Sequence, residues 1–364
     1  MSEENTTLEE PNLKIKNPKK ERVRFGWLDQ FRGLVIILFI IQTVAWKFSA
    51  DPANILTPLM SPYLNHGFRY ADFARPLITF IDLGQQIFIF LVGFMQAFAV
   101  LKRRQKGYST KKIWIHIGKR FGIVMVLSIL LTFAQPHGYN TWEAFFLGTL
   151  ANIAWAGLAA GIVALYLPKG DKRLVVGLVL MVIHTICYAF PGIREWEGAG
   201  LEFPFTVINH MAISCIAAAF TAWIFTDDGK VKEQSMRARI LPVSLWFFIS
   251  SYFLDFLQWA DHHYVTSSLV GLAIATSGFI LYLFYKFDQE DFKIPGLTAM
   301  GKNMLMIFIL SMILNELVYI EIMINSGLLG QNGLIDLLLM GIPPILFMWI
   351  IAKLLERFNL YIKI

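Results

Sequence analysis

Two pairs of charged residues set in otherwise apolar sequence are the first candidates for chemistry. Asp29 and Arg32, in WLDQFRGLVIILF, stand one helical turn apart and share a face. Lys119 and Arg120, in HIGKRFGIVMV, stand at the start of another apolar run. Each pair alone fits an interfacial ion pair or snorkelling cations, whose stems cover apolar surface while the charge reaches water. Several cations converging at one depth fit something further, a site for a phosphorylated ligand held by charge-assisted hydrogen bonds. A second polar set is spread along the chain. It comprises His66 in YLNHGFRYAD, Asp82, Gln85 and Gln86 in FIDLGQQIF, Asn209 and His210 in FTVINHMAIS, Asp255 with Gln258, Asp261 to His263, and Asn315 with Glu316. Its amides fit helix-to-helix glue. Its carboxylates and imidazoles need a partner or water if they lie in lipid. No pair of these residues has the i, i+4 ligand spacing that would specify a metal, and no metal is expected.

The elements that carry these residues are set by composition. The chain has 364 residues, 56% hydrophobic and 16% charged, with 31 Phe and 10 Trp, and a mean hydropathy of +0.55. That excludes an ordinary soluble domain, a disordered chain and a coiled coil. Two cysteines in apolar runs, Cys187 and Cys215, exclude a disulfide scaffold. Ten apolar stretches are long enough for a bilayer, which takes about 20 residues per helix. They lie near 33–49, 78–101, 119–135, 143–167, 174–191, 205–226, 240–259, 267–287, 304–324 and 334–355. Most are apolar on every face, and none shows the ten-residue alternation of a barrel strand. The expected fold is all-α, a polytopic integral membrane protein of about ten transmembrane helices.

Orientation follows from Lys and Arg in the short loops, which stay cytoplasmic. Cations crowd the first 24 residues, the 102–112 loop and every second loop after it, and the opposite loops hold only Arg69, Arg75 and Arg194, with Lys47 at a helix end. Both termini are expected in the cytoplasm. The net charge of +6 is thereby an orientation signal, and no nucleic-acid partner is expected. Residues 1–24 read as a disordered basic cytoplasmic tail and not a cleaved signal peptide; residues 25–364 read as one transmembrane domain. No internal repeat stands out. There is no Walker lysine loop, dinucleotide fingerprint or nucleophile elbow, and the run AGLAAG at 156–161 speaks only for close helix packing.

Five segments, in order, resemble one family. LDQFRGLVIILF at 28–39 is similar to the opening motif of the transmembrane acyltransferases related to heparan-α-glucosaminide N-acetyltransferase. IDLGQQIFIFLVGF at 81–94 resembles their Asp-Leu segment, with Asp82 and Gly93 in the matching places. HIGKRFGIVMVLSILL at 116–131 resembles the basic-then-apolar helix that follows, GTLANIAWAGLAAGIVALYL at 148–167 their Gly-x-Leu helix, and GKNMLMIFILS at 301–311 their late Gly-x-Asn-x-Leu start.

The resemblance implies that acetyl-CoA or another acyl-CoA binds from the cytoplasm and that its acyl group passes to a glycan, amino sugar or lipid acceptor on the far side. Asp29, Arg32, Lys119 and Arg120 are then the candidates at the coenzyme A entrance. His66 matches the family's histidine between its first two motif helices, as general base or transient acyl carrier, with Asp82 orienting it or the acceptor. This chain departs from the pattern at Gln42 and Thr43, where the family often has Asn. It departs again at Ala151 and Asn152 in place of Gln-Arg, at Gln86 in place of Pro, and in the greater length between His66 and Asp82. Two readings follow within the family: an altered donor or acceptor site, or a relative that kept the fold and lost the reaction. Outside it, a transporter or lipid flippase is the alternative, favoured by Asp255, Glu316 and the amides, with Pro343-Pro344 interrupting the last helix. The absence of a targeting element points to a plasma membrane, a prokaryotic one being the simplest inference. The oligomeric state and the acceptor are unreadable.

Overall fold

The computed structural model describes residues 25–48, 83–134, 148–190, 205–258, 260–261, 264–294, 296–311, 313–314, 333–358 and 360. Every named element among them is helical, and one isolated bridge joins Phe225 to Val231. The helices are α1 (Gly26–Phe48), α2 (Gly84–Gln105), α3 (Thr110–Ala134), α4 (Thr149–Tyr166), α5 (Gly170–Ala189) and α6 (Phe205–Ile224). They continue as α7 (Glu233–Leu257), which contains a π turn over Met236–Ile240, then α8 (Ser267–Gln289), α9 (Leu297–Lys302), α10 (Met304–Ser311) and α11 (Gly333–Arg357). Seven of them, α2 through α8, are long and apolar enough to cross a membrane. The chain is therefore a helical membrane protein, and helix occurs within each of the ten apolar stretches.

Side-chain size decides which helix is central. α6 carries Ala212, Ser214 and the run Ala217–Ala219, all buried, so its neighbours approach closely. It packs against α2, α4 and α5, while α2 and α4 also pack against each other. At Gly93 of α2 a Cβ would stand 2.5 Å from the Ser214 Cα, so only glycine permits this approach. Thr221 of α6 donates to the Phe94 carbonyl at 3.0 Å across the same contact. The outer helices α3, α5 and α7 instead turn large apolar side chains outward, among them Leu130, Ile186 and Phe253. In lipid that exposure is favourable, since the surrounding tails are as apolar as the residues.

α1 lies across α9 and touches α8 and α11. A Cβ on Gly301 would collide with the Asp29 carbonyl, and one on Gly33 with the Leu297 carbonyl. Two glycines therefore set how closely the first and ninth helices cross. Gln30 ties the same region down, accepting from the Ile294 amide at 2.8 Å and donating to the Phe292 carbonyl at 3.4 Å. The chain enters α9 through Gly296 at φ +88° and leaves it at Asn303, which is not helical and separates α9 from α10.

Arginines close several helix ends. Arg173 of α5, buried, donates to the carbonyls of Leu167, Ala164 and Ala218 at 2.7, 3.3 and 2.8 Å. Arg104 of α2 donates to the Leu165 carbonyl. Together they satisfy carbonyls that the end of α4 leaves without an intrahelical partner. Beyond α6 the chain turns at Gly229, φ +80°, where a hydrogen bond from Thr226 holds the Asp228 carboxyl below its usual range.

Candidate functional site

Two of the three expected cations, Arg32 of α1 and Arg120 of α3, lie within electrostatic reach of each other. On α1, Arg32 Nη1 donates to Asp29 Oδ1 at 3.2 Å, the one-turn pair expected from the spacing, with Asp29 buried. α2 and α3 form a hairpin around the 105–110 turn, and Arg120 of α3 donates to Gln96 Oε1 of α2 at 2.8 Å. The Arg120 guanidinium lies within electrostatic reach of Arg32 and of Arg103. No carboxylate pairs with Arg120 among the described residues, where its hydrogen-bond partner is the neutral amide of Gln96. Two guanidiniums held near one another repel more strongly the less water surrounds them. An anion placed between them removes that repulsion.

Arg103 donates to the Ala99 carbonyl at 3.0 Å and also to His116 Nε2. A guanidinium has no acceptor, so this imidazole takes the bond as the neutral form, with its proton on Nδ1. The hairpin thus stacks two arginine pairings one above the other, Arg103 with His116 nearer the turn and Arg120 with Gln96 deeper in.

A cavity with about 30 Å³ of space for water centres lies beside Arg120. Gln96 and Arg120 are its polar members, against Phe88 and Val92 of α2, Ile153 of α4 and Met304 of α10. This is room for roughly two waters. Asn303, at the break just before Met304, is buried, and neither of its amide atoms has a hydrogen-bond partner. Lys302 beside it pairs with Glu356, tying α9 to α11.

The six residues expected at a site do not all converge. Asp29 and Arg32 pair, and Arg120 lies within electrostatic reach of Arg32. Lys119 turns the other way, onto the exposed face of α3. His66 and Asp82 lie outside the described residues, as do His262, His263, Asn315, Glu316 and the side chains of Gln42 and Thr43. The residues missed from sequence are Gln96, Arg103, His116 and Asn303. An amide within FLVGFMQAFAV was a visible signal for Gln96, by the same reasoning that singled out Gln85 and Gln86.

At the other end of the bundle, three of the dispersed polar residues, Asn209, Asp255 and Gln258, hold one turn. Asn209 Nδ2 donates to the Val265 carbonyl at 2.6 Å, the Ser267 amide donates to Gln258 Oε1 at 3.2 Å, and the Ala260 amide to Asp255 Oδ1 at 2.6 Å. His184 Nε2 bonds the Tyr264 carbonyl at 3.0 Å and thereby acts as a donor. These contacts fix Gln258, Ala260 and residues 264–267, where Val265 takes a positive φ of 44°. Gln86, Asn152 and His210 differ. All three are buried, and both amide atoms of Gln86, Oδ1 of Asn152 and both ring nitrogens of His210 lack a partner. They sit near the starts of α2, α4 and α6, the three mutually packed helices.

No protein-family model matches the chain, and no curated protein matches its sequence.

Proposed function

We propose that the protein is a membrane acyltransferase that takes an acetyl or similar acyl group from cytoplasmic acyl-CoA and passes it to a sugar, glycan or lipid acceptor on the far side. In this reading the chain crosses a plasma membrane ten times with both termini in the cytoplasm. The observation that supports it best is Arg120 beside a small cavity and within electrostatic reach of Arg32, with no carboxylate pairing Arg120 among the described residues. Both belong to segments that resemble the acyltransferase family, and a glycine-to-backbone crossing brings a third such segment, GKNML, against the first. A phosphate or pyrophosphate of coenzyme A is the anion this pair of guanidiniums suits, because each fork can bond two oxygens. Asp29 holds Arg32 in place. His66 takes the proton of the acceptor as it attacks the thioester, and Asp82 orients the imidazole. Lys119, on the outer face of the same helix, draws the anionic donor toward the entrance.

Transfer from radiolabelled acetyl-CoA to an acceptor panel tests the reading. Activity lost in His66→Ala while the melting temperature holds would support it, and transfer that survives the substitution would remove His66 from its role.

A second reading, a polar conduit for transport, is favoured by Gln86, Asn152 and His210. Three buried, unpartnered polar groups at one end of three packed helices are what a hydrated path would present. Substrate flux in reconstituted vesicles without consumption of acyl-CoA would favour it over transfer.

A further inference from the structure

The outward face of α3 has the profile of an anionic phospholipid. Lys112, Ile115, Lys119, Gly122, Val126 and Leu130 follow one another at intervals of three and four residues, so they form one stripe along the helix. Lys112, Ile115, Lys119, Val126 and Leu130 are exposed, and a Cβ added at Gly122 would meet nothing within 4 Å. The stripe is cationic toward the cytoplasmic hairpin, has a shallow glycine gap at its middle and is purely apolar beyond it.

Depth makes Lys119 unusual. It lies nine residues into α3, about 13 Å below Thr110. Trp114, whose Nε1 donates to the exposed Tyr166 hydroxyl at 2.7 Å, marks the aromatic belt about 7 Å above it. Helical side chains lean toward the helix N-terminus, so the Lys119 ammonium reaches back toward that belt and toward Lys112. From Gly84 to Ala134 the hairpin carries eight Lys or Arg and no Asp or Glu. The helix on which α3 packs, α4, carries no charged residue at all. Nothing on either helix neutralises the two lysines.

We infer that this face holds one anionic phospholipid of the cytoplasmic leaflet, its phosphate between Lys112 and Lys119 and an acyl chain lying over Gly122 against Val126 and Leu130. The membrane is the occupant's source, since the phosphate site continues directly into a lipid-facing groove. The inference does not rest on the acyltransferase reading, whose anion site is Arg32 and Arg120 on the opposite face and which gives Lys119 only a steering role.

Native mass spectrometry of the full-length protein, released from nanodiscs of equal phosphatidylglycerol and phosphatidylcholine, tests it. The wild type should retain phosphatidylglycerol in preference to phosphatidylcholine, and Lys119→Gln should reduce that preference about fivefold, the size expected for one cation at a headgroup. Gly122→Leu puts a side chain into the groove, where a Cβ meets nothing within 4 Å, and keeps every charge, so it should release the retained lipid. Equal retention of the two lipids by the wild type would overturn the proposal. So would a preference that survives Lys119→Gln at an unchanged melting temperature. Should Lys119→Gln fail to fold, Gly122→Leu decides: lipid loss supports the groove, and undiminished retention overturns it.

Discussion

If Arg120 is kept for a ligand and not for the fold, removing it should not weaken the empty protein. Among the described residues the guanidinium bonds Gln96 Oε1 at 2.8 Å, and it lies within electrostatic reach of another cation, Arg32. Arg120→Met keeps an unbranched side chain beside the cavity and ends the repulsion, but leaves the buried Gln96 amide unpaired at a cost of about 1–3 kcal/mol. The single variant should therefore change stability little. Arg120→Met with Gln96→Leu removes both polar groups, and replacing a poorly compensated, partly buried charge by apolar groups should gain up to about 1–4 kcal/mol. The double variant is expected to melt a few degrees above the wild type when intrinsic fluorescence is followed in nanodiscs without ligand. It should also lose acyl-CoA affinity by about 10- to 100-fold, the equivalent of one charge-assisted hydrogen bond of about 1.5–3 kcal/mol. A double variant that melts well below the wild type would refute the reasoning, because Arg120 would then be holding the helices together.

Four further substitutions probe the architecture around that site. Gly301→Val drives a side chain into the Asp29 carbonyl and should cost about 1–3 kcal/mol or more, read as a lowered melting temperature, whereas Gly122→Ala, with open space around it, should be neutral or slightly stabilising. Arg173→Leu leaves the Leu167, Ala164 and Ala218 carbonyls without its three bonds and should destabilise by about 2–5 kcal/mol; unchanged melting would show that these carbonyls are satisfied otherwise. Asn209→Ala cuts the bond to the Val265 carbonyl and should speed amide hydrogen exchange across residues 260–268 while leaving α2 and α3 protected.

The helices were legible because lipid imposes a simple length rule, and α5, α6 and α8 begin and end within four residues of the apolar stretches that announced them. The third was read too short. It starts at Thr110 and not near 119, because KKIWIHIGK is too polar to register as apolar although nothing in it breaks a helix. The break at Asn303 was hidden for the opposite reason, since the residues after it are continuously apolar and backbone dihedrals leave no trace in hydropathy. Within the site, the Asp29–Arg32 pair was readable from spacing alone. The partners Gln96 and His116 required the hairpin: Arg103 with His116 and Gln96 with Arg120 are nearly symmetric about the turn, a relation that appears once α2 and α3 are folded back on each other. Which side of α3 faced in was not readable either. Lys119 and Arg120 are neighbours in sequence, yet about 100° of helix rotation sends one to lipid and the other to Gln96.

Acetyl-CoA binding to the purified protein in nanodiscs is the most direct test, measured for the wild type, Arg32→Ala and Arg120→Gln with free coenzyme A as competitor. The account predicts binding by the wild type, displacement by coenzyme A, and at least tenfold weaker affinity in both variants at unchanged folding. Failure of any acyl-CoA to bind folded wild-type protein, or equal affinity in all three, would contradict it.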